Sequence, residues 1–189
     1  SDTADHWAES SIERWSGYGV VQGDAGAFRP DAPLTRGELA TIFANLLGLE
    51  EEAENPYADL NGDEWYAAAI LKCTAAGIVQ GDGVGCSAAA PVTRQEASVM
   101  TARALGIAPA EQSSLSAFPD WEQVAAWAAG LVSAMVDAGI LTGTDSGSIL
   151  PESSINRASM AAILDRAISV YANESGAFVL SAGCGIVLI

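Results

Sequence analysis

One phrase occurs three times and sets most of what this chain can become. It reads Gly-Val-Val-Gln-Gly from Gly19 to Gly23, Gly-Ile-Val-Gln-Gly from Gly77 to Gly81, and Gly-Ile-Leu-Thr-Gly from Gly139 to Gly143. Each copy is followed by an arginine that opens an apolar helical run: Arg36, Arg94 and Arg157. Arg94 lies 58 residues after Arg36 and Arg157 lies 63 after Arg94, so the chain of 189 residues is a threefold internal repeat. A unit of about 60 residues buries too little apolar surface to be comfortable alone, so three units sharing one core are expected. The expected boundaries are 1–50, 51–109 and 110–170 for the repeats, with 171–189 as a tail or the stub of a further domain.

Half the residues are hydrophobic, yet no uninterrupted apolar run reaches 18 residues, which points to a globular chain and away from membrane insertion. The formal net charge is −16, with eight basic residues in all, so nucleic acid and acidic membrane surfaces would be repelled at long range. Three of those eight are the repeated arginines, which makes their placement more informative than their number. The start at Ser1 shows no charged segment followed by an apolar one, so no signal peptide is visible; a trimmed mature chain or an excised segment would read this way.

Each repeat reads as helix, loop, helix. In copy one Trp7, Ile12 and Trp15 fit one face of a first helix, and Gly17 or Gly19 suits a left-handed stop. Leu39, Ile42, Phe43, Leu46 and Leu47 then form the stripe of a second helix that ends at Gly48. Copy two matches with Trp65, Ile70 and Cys73, and copy three with Trp127, Val132 and Met135. Thr35-Arg36-Gly37-Glu38 and Thr93-Arg94-Gln95-Glu96 have the spacing of a capping box, in which threonine and glutamate each satisfy a free amide at the helix start. Copy three, Asn156-Arg157-Ala158-Ser159, keeps a capping residue and the arginine but loses the glutamate.

A capping box explains threonine and glutamate, but a cation at the first helical position opposes the helix dipole. Two readings stay open for the arginines. Either each pairs with an acid of a neighbouring unit or points into solvent, or the three hold an anionic ligand through the paired N–H groups that guanidinium presents.

The ordered set of an aromatic-x-Asp start, a tryptophan about six residues on, the glycine phrase, Phe-x-Pro and Thr-Arg-x-Glu resembles the S-layer homology family. The start is Tyr57-Ala58-Asp59 in copy two and Phe118-Pro119-Asp120 in copy three, and copy one keeps only Asp2 of it. The resemblance covers residues 1 to about 170. It implies a mainly α fold in which three repeats form a pseudo-threefold bundle with projecting prongs. It also implies a non-catalytic module at the bacterial cell wall or S-layer, outside the cell, that binds secondary cell wall polysaccharide, often with a pyruvylated terminal sugar. On these positions, it implies Arg36, Arg94 and Arg157 facing a pyruvyl carboxylate, with Asp2, Asp59 and Asp120 accepting from sugar hydroxyls. Trp7, Trp65 and Trp127 would wall the groove, the backbone at Gly23, Gly81 and Gly143 would approach the ligand, and Gln22 and Gln80 would be polar contacts. Each keeps a plainer alternative: a tryptophan on a helix face suits a core, and a glycine after a helix suits its backbone angles.

Copy two departs from the pattern by replacing Phe28-Arg29-Pro30-Asp31 with Cys86-Ser87-Ala88-Ala89, and copy three by losing the glutamate, so unequal grooves are expected. Copy one is the most complete, which favours grooves using Arg36 and then Arg94. Asp59-Leu60-Asn61-Gly62-Asp63 begins like a calcium loop but has Glu64 and Ile70 where the turn glycine and final acid belong. The sequence has one histidine and no catalytic motif, so neither an enzyme nor a cofactor is expected. Cys73 and Cys86 fall at apolar positions of one unit and are either a disulfide closing a short loop or two buried thiols. Phe178-Val179-Leu180 and Ile186-Val187-Leu188-Ile189 flank Ser181 to Gly185 and read as two short strands around a turn. The rival to the wall-binding reading is a protein-interaction or structural repeat module with the arginines in internal salt bridges.

Overall fold

The structure, a computed structural model, describes residues 2–23, 25–175, 178–180 and 186–188. Six helices carry it: α1 Glu9–Gly17, α2 Arg36–Leu47, α3 Ala67–Ala75, α4 Arg94–Ala104, α5 Ala126–Asp137 and α6 Arg157–Ser175. Two per repeat is the expected number. Two short strands, β1 Phe178–Leu180 and β2 Ile186–Leu188, pair antiparallel in the tail, while Ile189 and the expected turn at residues 181–185 lie outside the described residues. No described helix is long and apolar enough to cross a membrane.

The first helix of each repeat ends at the glycine phrase in the same way. Gly19, Gly77 and Gly139 have φ of +73°, +73° and +68°, a left-handed turn that costs glycine little. The next amide then reaches back into the last helical turn: Val20 N–H donates to Trp15, Ile78 to Cys73 and Ile140 to Met135, at 2.9, 2.8 and 3.0 Å. The second helices start on their caps. Thr35 with Glu38 and Thr93 with Glu96 form complete capping boxes. In copy three Asn156 Oδ1 accepts from Ser159 N–H at 2.8 Å, which supplies half of one.

The loops before the second helices join the repeats to one another. Residue 34 donates its amide to Ile155, Ile155 to Val92, and Val92 to Leu34, at 2.9, 3.0 and 2.9 Å, closing a ring of three backbone bonds. The arginine amides repeat the cycle one step out, from Arg36 to Ala90, Arg94 to Ser153 and Arg157 to Ala32. Helix packing follows the same order: α3 lies on α2, α5 on α4, and α1 on α6. Thus the first helix of each repeat covers the second helix of the one before, and copy one closes the circle on copy three. Leu34, Val92 and Ile155 are buried at the centre of this ring, with Leu39, Phe43, Ile70, Met135 and Leu164 in the surrounding core.

Two expectations need correction. Trp7, Trp65 and Trp127 do not join the buried helix face; they are 65%, 68% and 59% exposed. Trp7 and Trp65 precede α1 and α3, and the face that packs begins with Ala8 and Ala67. Cys73 and Cys86 are free thiols, both buried, and no disulfide joins them. Cys73 faces the α2–α3 interface, where its Sγ donates to the Ala40 carbonyl at 3.3 Å, and burial pushes its pKa up to about 12. Cys86 instead sits in the loop that Asp59 holds.

Candidate functional site

The aspartate of the aromatic-x-Asp start clamps a loop of its own repeat. Asp2 accepts from the amides of Phe28 and Arg29, Asp59 from Cys86 and Ser87, and Asp120 from Ile149 and Leu150. The second residue of each pair has a left-handed backbone without being glycine: Arg29 at φ +55°, Ser87 at +50° and Leu150 at +52°. Such residues are uncommon, and two amides aimed at one carboxylate offset the strain. These amide bonds are also the main reason the Asp2 and Asp59 carboxyls titrate below their ordinary value. The sugar-accepting role expected for these aspartates therefore meets oxygens that each already accept an amide, and Asp120 is buried as well.

The second glycine of the phrase packs against this clamped loop. A Cβ at Gly81 would come within 2.4 Å of the Gly85 carbonyl oxygen and 2.7 Å of the Tyr57 ring, and one at Gly23 within 2.6 Å of the Ala27 carbonyl oxygen. Gly143, at φ +77°, would meet the Phe118 ring at 2.9 Å. Close packing inside the repeat accounts for all three glycines without a ligand.

The arginines cross between repeats. Arg36 Nη2 donates to Glu96 Oε1, and Arg157 Nη1 to Glu38 Oε1 at 2.8 Å. Each glutamate gives its other oxygen to its own cap, accepting from Thr93 N–H and Thr35 N–H, both at 2.8 Å. The capping box thus serves twice: one oxygen starts the helix and the other holds the neighbour's arginine. Arg157 also donates from Nε to the Phe28 carbonyl at 2.9 Å and lies over the Phe28 ring, 4.7 Å from its centre. Arg94 donates from Nε to the Ile149 carbonyl at 2.7 Å, the counterpart contact. Its glutamate would stand at position 159, which is serine, and among the described residues Arg94 forms no ion pair.

Two grooves follow from this construction, and each draws on all three repeats. The first, about 560 Å³, holds Gln22 and Gly23 of copy one, Trp65 of copy two and Arg157 of copy three, with Glu38 and Asn45 from α2. The second, about 530 Å³, holds Gln80 and Gly81 of copy two, Trp127 of copy three and Arg36 of copy one, with Glu96 and Arg103 from α4. The Gln80 side chain accepts from Arg103 Nη2 at 3.0 Å, whereas Gln22 meets Arg157 through its backbone carbonyl. Sequence reasoning brought together the right residue types but missed Glu38, Glu96 and the position of Asn45, Arg103 and Arg166. The last three were legible in part: Asn45, Arg103 and Arg166 each follow a repeat arginine by nine residues.

A half-buried arginine, an exposed indole and backbone carbonyls in one cleft can take an extended polar ligand with an acidic group: indole stacks on an apolar sugar face and guanidinium binds a carboxylate. The chain matches the family model described as S-layer homology domain over residues 1–40, 56–98 and 117–161, one match per repeat. It is 30% identical over 169 residues to exoglucanase XynX of Acetivibrio thermocellus, covering 87% of this chain and 16% of that protein. It is 32% identical over 169 residues to the surface-layer 125 kDa protein of Lysinibacillus sphaericus, covering 86% of this chain and 14% of that protein. The amylopullulanase of Thermoanaerobacterium thermosulfurigenes is 28% identical over 169 residues, with 87% of this chain and 9% of that protein covered. The chain therefore spans less than a fifth of the length of these relatives.

Proposed function

The chain belongs to the S-layer homology domain family, and from that premise we propose that it is a non-catalytic module anchoring a cell-surface protein by binding secondary cell wall polysaccharide. The family places it at the cell surface, in association with the wall. The observation that carries the binding proposal is the exposure of Trp65 and Trp127 in clefts that also hold an arginine of another repeat. A tryptophan left in water costs roughly 2 kcal/mol of forgone burial, so two placed alike in two copies suit a ligand that covers them. A pyruvylated terminal sugar is the proposed epitope, because its carboxylate sits at a chain end and can enter a groove. The cyclic order of backbone bonds supports a pseudo-threefold bundle as the frame for such grooves.

Cosedimentation with purified walls tests this reading. Wild type should pellet with walls that carry the polysaccharide and stay in solution with walls stripped of it; Trp65→Ala and Trp127→Ala should pellet less while folding normally. Equal pelleting with both kinds of wall would refute polysaccharide binding. A structural role for two of the arginines has its own support, since Arg36 and Arg157 are already paired with Glu96 and Glu38.

A further inference from the structure

The two grooves differ at the residue nine places after the repeat arginine, which is Asn45 on α2 in the first and Arg103 on α4 in the second. Arg103 Nη2 donates to Gln80 Oε1 at 3.0 Å, and its Nη1 lies 3.5 Å from the Ile78 carbonyl oxygen. A guanidinium has five N–H donors and no acceptor, so the Gln80 amide can meet it only through its oxygen. The orientation of that amide is thereby set, and its NH2 group is the end left for a ligand. Gln80 is exposed, and among the described residues no acceptor takes its Nε2. The first groove lacks this device. Asn45 carries both a donor and an acceptor, so it cannot fix which way the Gln22 amide turns.

Charge separates the grooves as well. The second sets Arg36 and Arg103 against Asp82 and Glu96, whereas the first sets Arg29 and Arg157 against Glu38. Both acids of the second are engaged: Asp82 Oδ1 accepts from the Val84 and Gly85 amides at 2.9 and 2.8 Å, and Glu96 serves its cap and Arg36. A balanced groove offers a second charged group no net attraction, and an NH2 donor that cannot turn over selects an oxygen that only accepts. Sugar hydroxyls both donate and accept. The neutral oxygen that only accepts and stands clear of the ring is the carbonyl of an acetamido substituent. Trp127, 59% exposed in the same groove, offers an apolar face for the sugar ring that carries it.

We propose that the second groove selects an acetamido sugar of the wall polysaccharide, with Gln80 donating to its carbonyl oxygen and Arg103 as the positioning residue that holds Gln80 in the donating orientation. The proposal rests on the wall-polysaccharide reading and adds to it a sugar class and the groove that reads it.

NMR titration of the 15N-labelled chain with triacetylchitotriose and with cellotriose tests it, because these neutral trisaccharides differ only by an acetamido group against a hydroxyl on each ring. Triacetylchitotriose should bind about fivefold more tightly, the effect of one neutral hydrogen bond, and should shift the Gln80 side-chain NH2 resonances. Gln80→Glu keeps a partner for Arg103 and removes the NH2, so it should hold the melting temperature and lose the preference. Arg103→Asn, the residue of copy one, should lose the preference too, while Arg103→Lys, which still only donates, should keep it. A merely structural role for Arg103 would leave the ratio of the two affinities unchanged in all three. Equal affinity of wild type for the two sugars, no binding of triacetylchitotriose, or a wild-type preference in Gln80→Glu would overturn the assignment. Wall cosedimentation of the same protein separates the two readings: pelleting only with unstripped walls leaves the anchoring role standing, and equal pelleting with both kinds of wall overturns both.

Discussion

At the scale of single residues, the aspartate clamp has a pH signature. Asp2 and Asp59 titrate below their ordinary value of 3.8 because backbone amides favour the charged form. Their contribution is therefore complete above the unfolded pKa and is lost as pH falls through the lower folded pKa. Acid unfolding of Asp59→Asn, followed by circular dichroism, should show a shallower loss of stability below about pH 4 than wild type. Gly81→Ala should destabilise by about 1–3 kcal/mol in urea unfolding, since a methyl group there meets loop backbone. These residues also show what sequence can and cannot convey. The aspartates and glycines stood out by recurrence, but recurrence does not separate a residue that touches ligand from one that holds the loop beside it. The tryptophans went the other way: helical spacing put them with the core, whereas all three are exposed and Trp65 and Trp127 line the two grooves. Labelling under denaturing, non-reducing conditions should modify Cys73 and Cys86 both, while the native protein should protect Cys73, which is buried and held as a thiol.

At the scale of elements, helix starts were the most legible part of the chain. Both capping boxes and the left-handed glycine stops follow from local chemistry, and a local motif is complete within a few residues of sequence. The arginine partner was not legible, because Glu38 and Glu96 belong to the next repeat around the ring and nothing within one copy says which neighbour faces it. Copy three held the clue in the form of an arginine kept after its glutamate was lost. A double-mutant cycle on Arg157 and Glu38, whose side chains are 13% and 28% exposed, should give a coupling of about 1 kcal/mol. Glu96→Gln keeps an acceptor for the cap and weakens the ion pair, so it should cost less than Glu96→Ala in thermal unfolding.

At the scale of the whole molecule, the ring of bonds among Leu34, Val92 and Ile155 makes the three repeats interdependent. Each first helix needs the second helix of another copy, and α1 needs α6. Truncation after residue 110 should therefore abolish cooperative unfolding, since α1 loses its cover and Leu34 its amide acceptor. The repeat count and the shared core followed from spacing, whereas the cyclic order required the positions of the loops. The formal net charge of −16 bears on binding at this scale too. On the proposed reading an acidic polymer is repelled at a distance, so recognition would be short-range and confined to a groove where an arginine faces the sugar end. The most direct measurement is titration of the chain with pyruvylated and depyruvylated wall polysaccharide at low and at physiological salt. The account predicts at least about tenfold tighter binding of the pyruvylated form, with affinity held or slightly raised as salt screens the general repulsion. Equal affinity for the two forms, or a steep fall in affinity between the two salt conditions, would contradict it.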